Sequence, residues 1–124
     1  IVFGDALTKA LGDKKGIHRY GMFYCPMDEA LTRVVIDLSG RPYLVYDVNL
    51  KVERIGAFET EMLREFLYAL SVHGRMNLHV TNLYGVNAHH IVESIFKALG
   101  HALKEAVRMD GDETSVLSTK GVLE

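Results

Sequence analysis

The sequence predicts an α+β layer fold: a sheet of about four strands with two helices packed on one face. Three observations carry that reading. Three strand-like runs between residues 19 and 48 are joined by short turns. Two long segments, 58–72 and the stretch after Asn87, carry apolar residues at helical spacing. A fourth strand-like run, 76–83, lies between those helices, and the economical way to bury every apolar face is a two-layer unit.

The elements follow in order. Residues 1–11 place Val2, Phe3, Ala6, Leu7, Ala10 and Leu11 at helical spacing, ended by the polar turn at 12–16. This helix begins without Ser, Thr, Asp or Asn to cap it, so it reads as the remainder of something longer, with no obvious place in the unit that follows. Residues 19–24 form a strand broken by Pro26; 31–38 alternate through Val34 and Ile36 and close at Ser39-Gly40; 42–48 are rich in Tyr and Val. Short connections make these three strands antiparallel neighbours. Residues 52–55 extend the third strand or form a short edge. The helix at 58–72 presents Phe58, Met62, Leu63, Phe66, Leu67 and Leu70 and stops at Gly74. Asn87 caps the last helix, whose buried stripe is Val92, Ile95, Leu99, Ala102, Leu103 and Ala106; 110–119 is a polar loop.

Composition narrows the function classes. A chain of 124 residues with 48% hydrophobic and 24% charged content suits one folded domain. The net charge of −2, with dispersed Lys and Arg, argues against nucleic acid and against an anionic membrane surface. No apolar run approaches the roughly 18 residues of a bilayer span. The single cysteine, Cys25, cannot form an internal disulfide and suits a reducing cytoplasm.

The motif richest in chemistry is His89-His90-Ile91-Val92-Glu93, at the start of the last helix. Spacings of three and four residues put imidazoles and a carboxylate on overlapping faces, a donor mix suited to Mn, Fe or Zn. Adjacent histidines cannot both reach one ion from a single turn. Either one is structural or the pair serves two ions. The plainer alternative for all three residues is a solvated, capped first turn.

Six blocks in order resemble the imidazoleglycerol-phosphate dehydratase family: Gly12-Asp13-Lys14-Lys15-Gly16-Ile17, Arg19-Tyr20-Gly21, Pro26-Met27-Asp28-Glu29-Ala30, Asp37-Leu38-Ser39-Gly40-Arg41-Pro42-Tyr43, His89-His90-Ile91-Val92-Glu93 and Ser118-Thr119-Lys120-Gly121. The resemblance implies two similar halves, each a four-stranded sheet with two helices of the ribosomal-domain type. Residues 1–16 would then end a first repeat and 17–124 form the second, with the other His-His-x-x-Glu motif lying before Ile1. It also implies a shell of twenty-four subunits whose sites, between subunits, each bind two manganese ions. The implied reaction dehydrates imidazole glycerol phosphate to imidazole acetol phosphate in histidine biosynthesis, or this chain is a half that folds without turnover.

Residue by residue, the resemblance makes His89, His90 and Glu93 metal ligands, with Glu93 also helping to move a proton. Glu65 stands where many members carry a ligating His; alternatively it is an exposed helix charge. His79 matches a common family His, either a group that orients a ligand or a satisfied sheet histidine. Arg19, Arg41, Lys97, Ser118 and Lys120 match positions that hold the substrate phosphate, for which guanidinium and ammonium donors are apt. Plainer alternatives are a turn role for Arg41 and a solvated helix charge for Lys97. Asp28 and Glu29 either transfer a proton, orient substrate or start the next strand. His18, His73 and His101 match nothing functional.

Overall fold

The fold is given by a computed structural model, which describes residues 1–14 and 16–109. The elements are α1 (Val2–Leu11), β1 (Tyr20–Met27), β2 (Ala30–Asp37), β3 (Tyr43–Asp47), β4 (Arg54–Ile55), β5 (Phe58–Glu59), α2 (Glu61–His73), β6 (Asn77–Tyr84) and α3 (Ala88–Val107). The α+β expectation holds: four strands form one sheet in the order β1-β2-β6-β3.

The expectation that the first three strands are antiparallel neighbours fails at one edge. β1 pairs antiparallel with β2, but β6 inserts beside β2, and β3 pairs with β6 in parallel. The segment β3-α2-β6 is therefore a βαβ crossover, which needs its helix to carry the chain back over the sheet. The turn after β2 leads across a vacant strand position that the later strand fills.

Strict alternation in β2 sends Ala30, Thr32, Val34 and Ile36 inward, where they meet Leu78 and Val80 of β6, Leu63, Leu67 and Leu70 of α2, and Ile95, Ala98 and Leu99 of α3. Both helices thus lie on one face of the sheet. α3 lies over β1 and β2 at very short range: a Cβ at Gly21 would stand 1.9 Å from the Ala102 carbonyl oxygen. Only glycine permits that approach. The predicted stripe of α3 is shifted slightly, since Ile91 and Ala98 are buried while Val92 and Leu103 are half-buried. In α2 the shift is larger. Leu63, Leu67 and Leu70 are buried, but Met62 and Phe66 face outward, and Phe58 precedes the helix in the small β4–β5 hairpin.

α1 has a place in this unit after all. Gly4 lies against His73 and Gly74 at the end of α2, Thr8 Oγ1 donates to the His73 carbonyl at 2.7 Å, and His73 Nδ1 sits 3.0 Å from Asp5 Oδ1. No other described element covers the face of the sheet away from the helices, which carries exposed Tyr20, Met22, Tyr24 and Tyr43.

Candidate functional site

The start of α3 is built by three segments. The Asn87 side chain accepts from the His90 backbone N–H at 3.0 Å, the predicted cap. The β1–β2 hairpin turns through Asp28 and Glu29 alone, with Met27 paired to Ala30. Asp28 has φ 51, the φ sign that opens a type II′ turn, a position that favours Gly. Beside it, β2 and β6 slip register between Leu31 and Thr32, and Asn82 Nδ2 bridges the irregularity to the Leu31 carbonyl and Thr32 Oγ1. A buried Thr32–Ser94 hydroxyl pair at 2.7 Å ties the same place to α3.

Glu29 reaches across this junction. Its Oε2 accepts from the backbone N–H groups of Val86 and Asn87 at 2.9 and 3.0 Å, and its Oε1 lies 2.5 Å from His90 Nδ1. The bond to His90 first, and the two backbone bonds next, hold the Glu29 carboxyl down at about 2. The same bond pushes the His90 imidazole above its ordinary value. His90 Nε2 lies 3.4 Å from Asp28 Oδ2. His89 Nδ1 is 3.7 Å from Glu93 Oε2, and Glu93 Oε1 is 3.3 Å from Lys97 Nζ. The two imidazole rings cross at 77° with centroids 6.5 Å apart, so they address different directions. A cleft of about 380 Å³, lined by Ile55, Phe58, His89, Val92 and Glu93, opens beside them.

His89, His90 and Glu93 are therefore gathered, with Lys97 one turn further on. Glu65 is not gathered with them: it is exposed on α2, and among the described residues no group of three or more His, Cys, Asp or Glu side chains is arranged to hold an ion. His79 is exposed on the open sheet face, in register with Val35 and Val45, away from α3. Ser118 and Lys120 lie outside the described residues, as does the expected loop at 110–119. Glu29 sits in the turn between β1 and β2, as the sequence suggests, and is also a hydrogen-bonded partner of His90; its signal in the sequence is an acidic pair between two strands.

Arg19 and Arg41 sit at the other end of the sheet. Arg19, at φ 79, donates from Nε to Asp37 Oδ1 at 2.7 Å and from Nη2 to Oδ2 at 3.3 Å. Arg41 is exposed, and its backbone is fixed by Ser39 Oγ at 3.1 Å and Asn77 Nδ2 at 2.8 Å. Lys14 is buried there with one long bond, 3.4 Å, to the Leu38 carbonyl. Burial first, then Arg75 and Arg19, push its ammonium below the ordinary lysine value. The eight residues of β1 separate this corner from Asp28, a span of roughly 25 Å.

As for metal, the donors fit in kind and only partly in number. The pairs His90–Asp28 and His89–Glu93 are separated by little more than the roughly 3 Å between neighbouring ligand atoms around an ion with bonds near 2.1 Å. Each pair supplies two donors, so a closed shell requires others. The fold and this corner define a class: an α+β domain that gathers imidazole and carboxylate side chains at a helix start braced by a hairpin turn.

The family model for imidazoleglycerol-phosphate dehydratase matches residues 1–103, and the chain belongs to that family. An imidazoleglycerol-phosphate dehydratase of Heliobacterium modesticaldum is 61% identical over 99% of this chain and 64% of its own length. One from Paracoccus denitrificans is 55% identical over the same shares. Among solved structures, the enzyme of Staphylococcus aureus superposes with a TM-score of 0.85 at 45% identity, over 88% of this chain and 64% of that one. IGPD from Pyrococcus furiosus gives 0.83 at 42% identity, over 99% of this chain and 66% of that one. The chain spans about two thirds or less of the length of these relatives. No helix among the described residues is long and apolar enough to cross a membrane.

Proposed function

We propose that this chain is a subunit of a manganese-dependent dehydratase that converts imidazole glycerol phosphate to imidazole acetol phosphate in histidine biosynthesis. The observation that carries the reading is the gathering of His89, His90 and Glu93 at one braced helix start, within a family whose members are named for this reaction. His89, His90 and Glu93 would hold the metal, joined by donors from other segments or copies, among them Glu65 of a neighbouring copy, since Glu65 of the same chain is not gathered with them. Bound divalent cations would polarise the azole ring so that it accepts electron density as hydroxide leaves. Glu93 would assist proton movement, and its ion pair with Lys97 orients it.

Arg19, Arg41 and Lys97, with Ser118 and Lys120, would hold the phosphate. A substrate of this size cannot bridge Arg41 and His90 of one chain across roughly 25 Å, which favours sites shared between copies. The uncovered apolar side chains, Tyr20, Met22, Tyr24 and Tyr43 on the sheet and Met62, Phe66 and Phe96 on the helices, suit a homo-oligomer, for which a shell of twenty-four is the family expectation. The assignment of residues 1–16 to the end of a first repeat belongs to the same proposal, as does a cytoplasmic setting without nucleic-acid or membrane partners.

A second reading, a folded half that binds metal or assembles without turnover, is favoured by the absence of a complete donor cluster among the described residues. Turnover of imidazole glycerol phosphate with added Mn²⁺, with metal stoichiometry measured in parallel, separates the two. Product formation supports the dehydratase; a folded, assembled chain with no turnover supports the inactive half.

A further inference from the structure

Glu29 and His90 lie 61 residues apart in sequence, yet their side chains form one of the shortest contacts at this end of the molecule, 2.5 Å. The other oxygen of Glu29 is committed to the backbone N–H groups of Val86 and Asn87. As a glutamate that accepts two backbone N–H groups, Glu29 is a carboxylate near neutral pH and has no proton to donate. Its bond to His90 therefore requires the hydrogen to be on Nδ1. In the neutral ring the lone pair is then left on Nε2, which faces Asp28 at 3.4 Å. The His90 ring is also held from its backbone, through the Asn87 cap. Among the described residues His89 has no such partner at hydrogen-bond distance: its Nδ1 is 3.7 Å from Glu93 and the side chain is 67% exposed.

We propose that Glu29 is the positioning residue of His90: it selects the Nδ1–H tautomer and so presents Nε2, on the Asp28 side, as the atom that binds a cation. This presets one of two adjacent imidazoles and leaves the other adaptable, which suits a pair whose members point in different directions. The consequence for metal binding rests on the reading of His90 as a ligand; the tautomer itself does not.

The test is long-range ¹H–¹⁵N correlation on metal-free protein carrying ¹⁵N-labelled histidine, above the pH at which His90 loses its second proton. Wild-type His90 is expected to show a protonated Nδ1 and an unprotonated Nε2. In Glu29→Gln the amide oxygen keeps the Val86 and Asn87 donors, because turning the NH₂ group toward them would set it against two backbone N–H groups. The NH₂ then faces Nδ1, and the tautomer should invert to Nε2–H. A wild-type ring protonated on Nε2, or a Glu29→Gln ring with the wild-type pattern, overturns the proposal; the wild-type spectrum alone decides it where the variant does not fold. Titration with Mn²⁺ is the second arm. Inversion with affinity weakened about 10- to 100-fold supports positioning toward metal. Inversion with unchanged affinity overturns the ligand role of His90 while leaving tautomer selection by Glu29 standing.

Discussion

The two ends of the sheet differ in sign and in the way charge is held. At the hairpin end, Asp28, Glu29 and Glu93 surround His89 and His90, and the acids pair with imidazole or with backbone N–H groups. At the opposite end, Lys14, Arg19, Arg41 and Arg75 surround Asp37 and the 38–40 turn. Every described non-glycine residue with positive φ belongs to one of these ends: Lys14, Arg19 and Arg75 to the basic one, Asp28 to the acidic one. Backbone strain of this kind persists where surrounding structure holds it, and it concentrates at functional places. Between them lies ordinary core. The chain thus carries an acidic, imidazole-bearing end and a basic end, roughly 25 Å apart along β1.

The largest effect comes from separating the ends genetically. His90→Ala and Arg41→Ala, each alone, should lower turnover of imidazole glycerol phosphate by about 100-fold or more, through lost metal ligation and lost phosphate binding. If one site takes its acidic end from one copy and its basic end from another, mixing the two variants during assembly regenerates intact sites. A random equal mixture restores about a quarter of them. Recovery absent from a mixed assembly of normal size would break the division between copies.

The next effect tests the ruler between the ends. α3 carries His89 and His90 in its first turn, and near its other end the Ala106 carbonyl accepts from the Arg19 N–H at 2.9 Å, so it fixes both corners. Gly21→Ala forces a methyl into the Ala102 carbonyl and should cost about 3 kcal/mol. Chemical denaturation measures the loss, and a change below about 0.5 kcal/mol would mean that α3 shifts without penalty.

A third contrast has opposite signs at the two ends. Lys14 is buried near Arg75 and Arg19, opposed by Asp37, with one long hydrogen bond among the described residues, so Lys14→Met should leave stability unchanged or raise it by about 1 kcal/mol at neutral pH. The depressed lysine value means that the folded state binds its proton less well than the unfolded state. Wild-type stability therefore rises relative to Lys14→Met as pH climbs from the depressed value toward 10.5. At the acidic end Glu29→Gln should destabilise. The Glu29 contribution is full above about 4.5 and lost as pH falls toward about 2. The raised value of His90 makes its part full below 6.5 and lost as pH rises through the folded value. Thermal melts of the variants across pH check both windows.

Much of this division is legible in the amino-acid sequence. Period-two alternation in 31–38 and the 3.6-residue spacing after Asn87 reflect burial on one face, which is a local property of the chain. Strand order is not local: nothing in 42–48 announces that a strand thirty residues later will lie between it and β2. The outward turn of Met62 and Phe66 is hidden for a related reason, since an apolar residue marks a face to be covered without saying by what. Among site residues, His89, His90, Glu93, Arg19 and Arg41 are visible as motifs, whereas Glu29 matters through a contact 61 residues away. The separation of Arg41 from His90 follows only from the direction and length of β1.

The smallest effect concerns Asp28, where stability and chemistry pull apart. As the first residue of a two-residue hairpin turn at φ 51, it occupies a position that glycine fills without strain. Asp28→Gly should therefore stabilise the fold by about 0.5 kcal/mol, read from denaturant midpoints at pH 7. The same change removes the carboxylate 3.4 Å from His90 Nε2, so Mn²⁺ affinity should fall in the variant that folds better. A variant with higher stability and full affinity would reduce Asp28 to a turn residue, and the acidic end would then act through Glu29, the imidazoles and Glu93 alone.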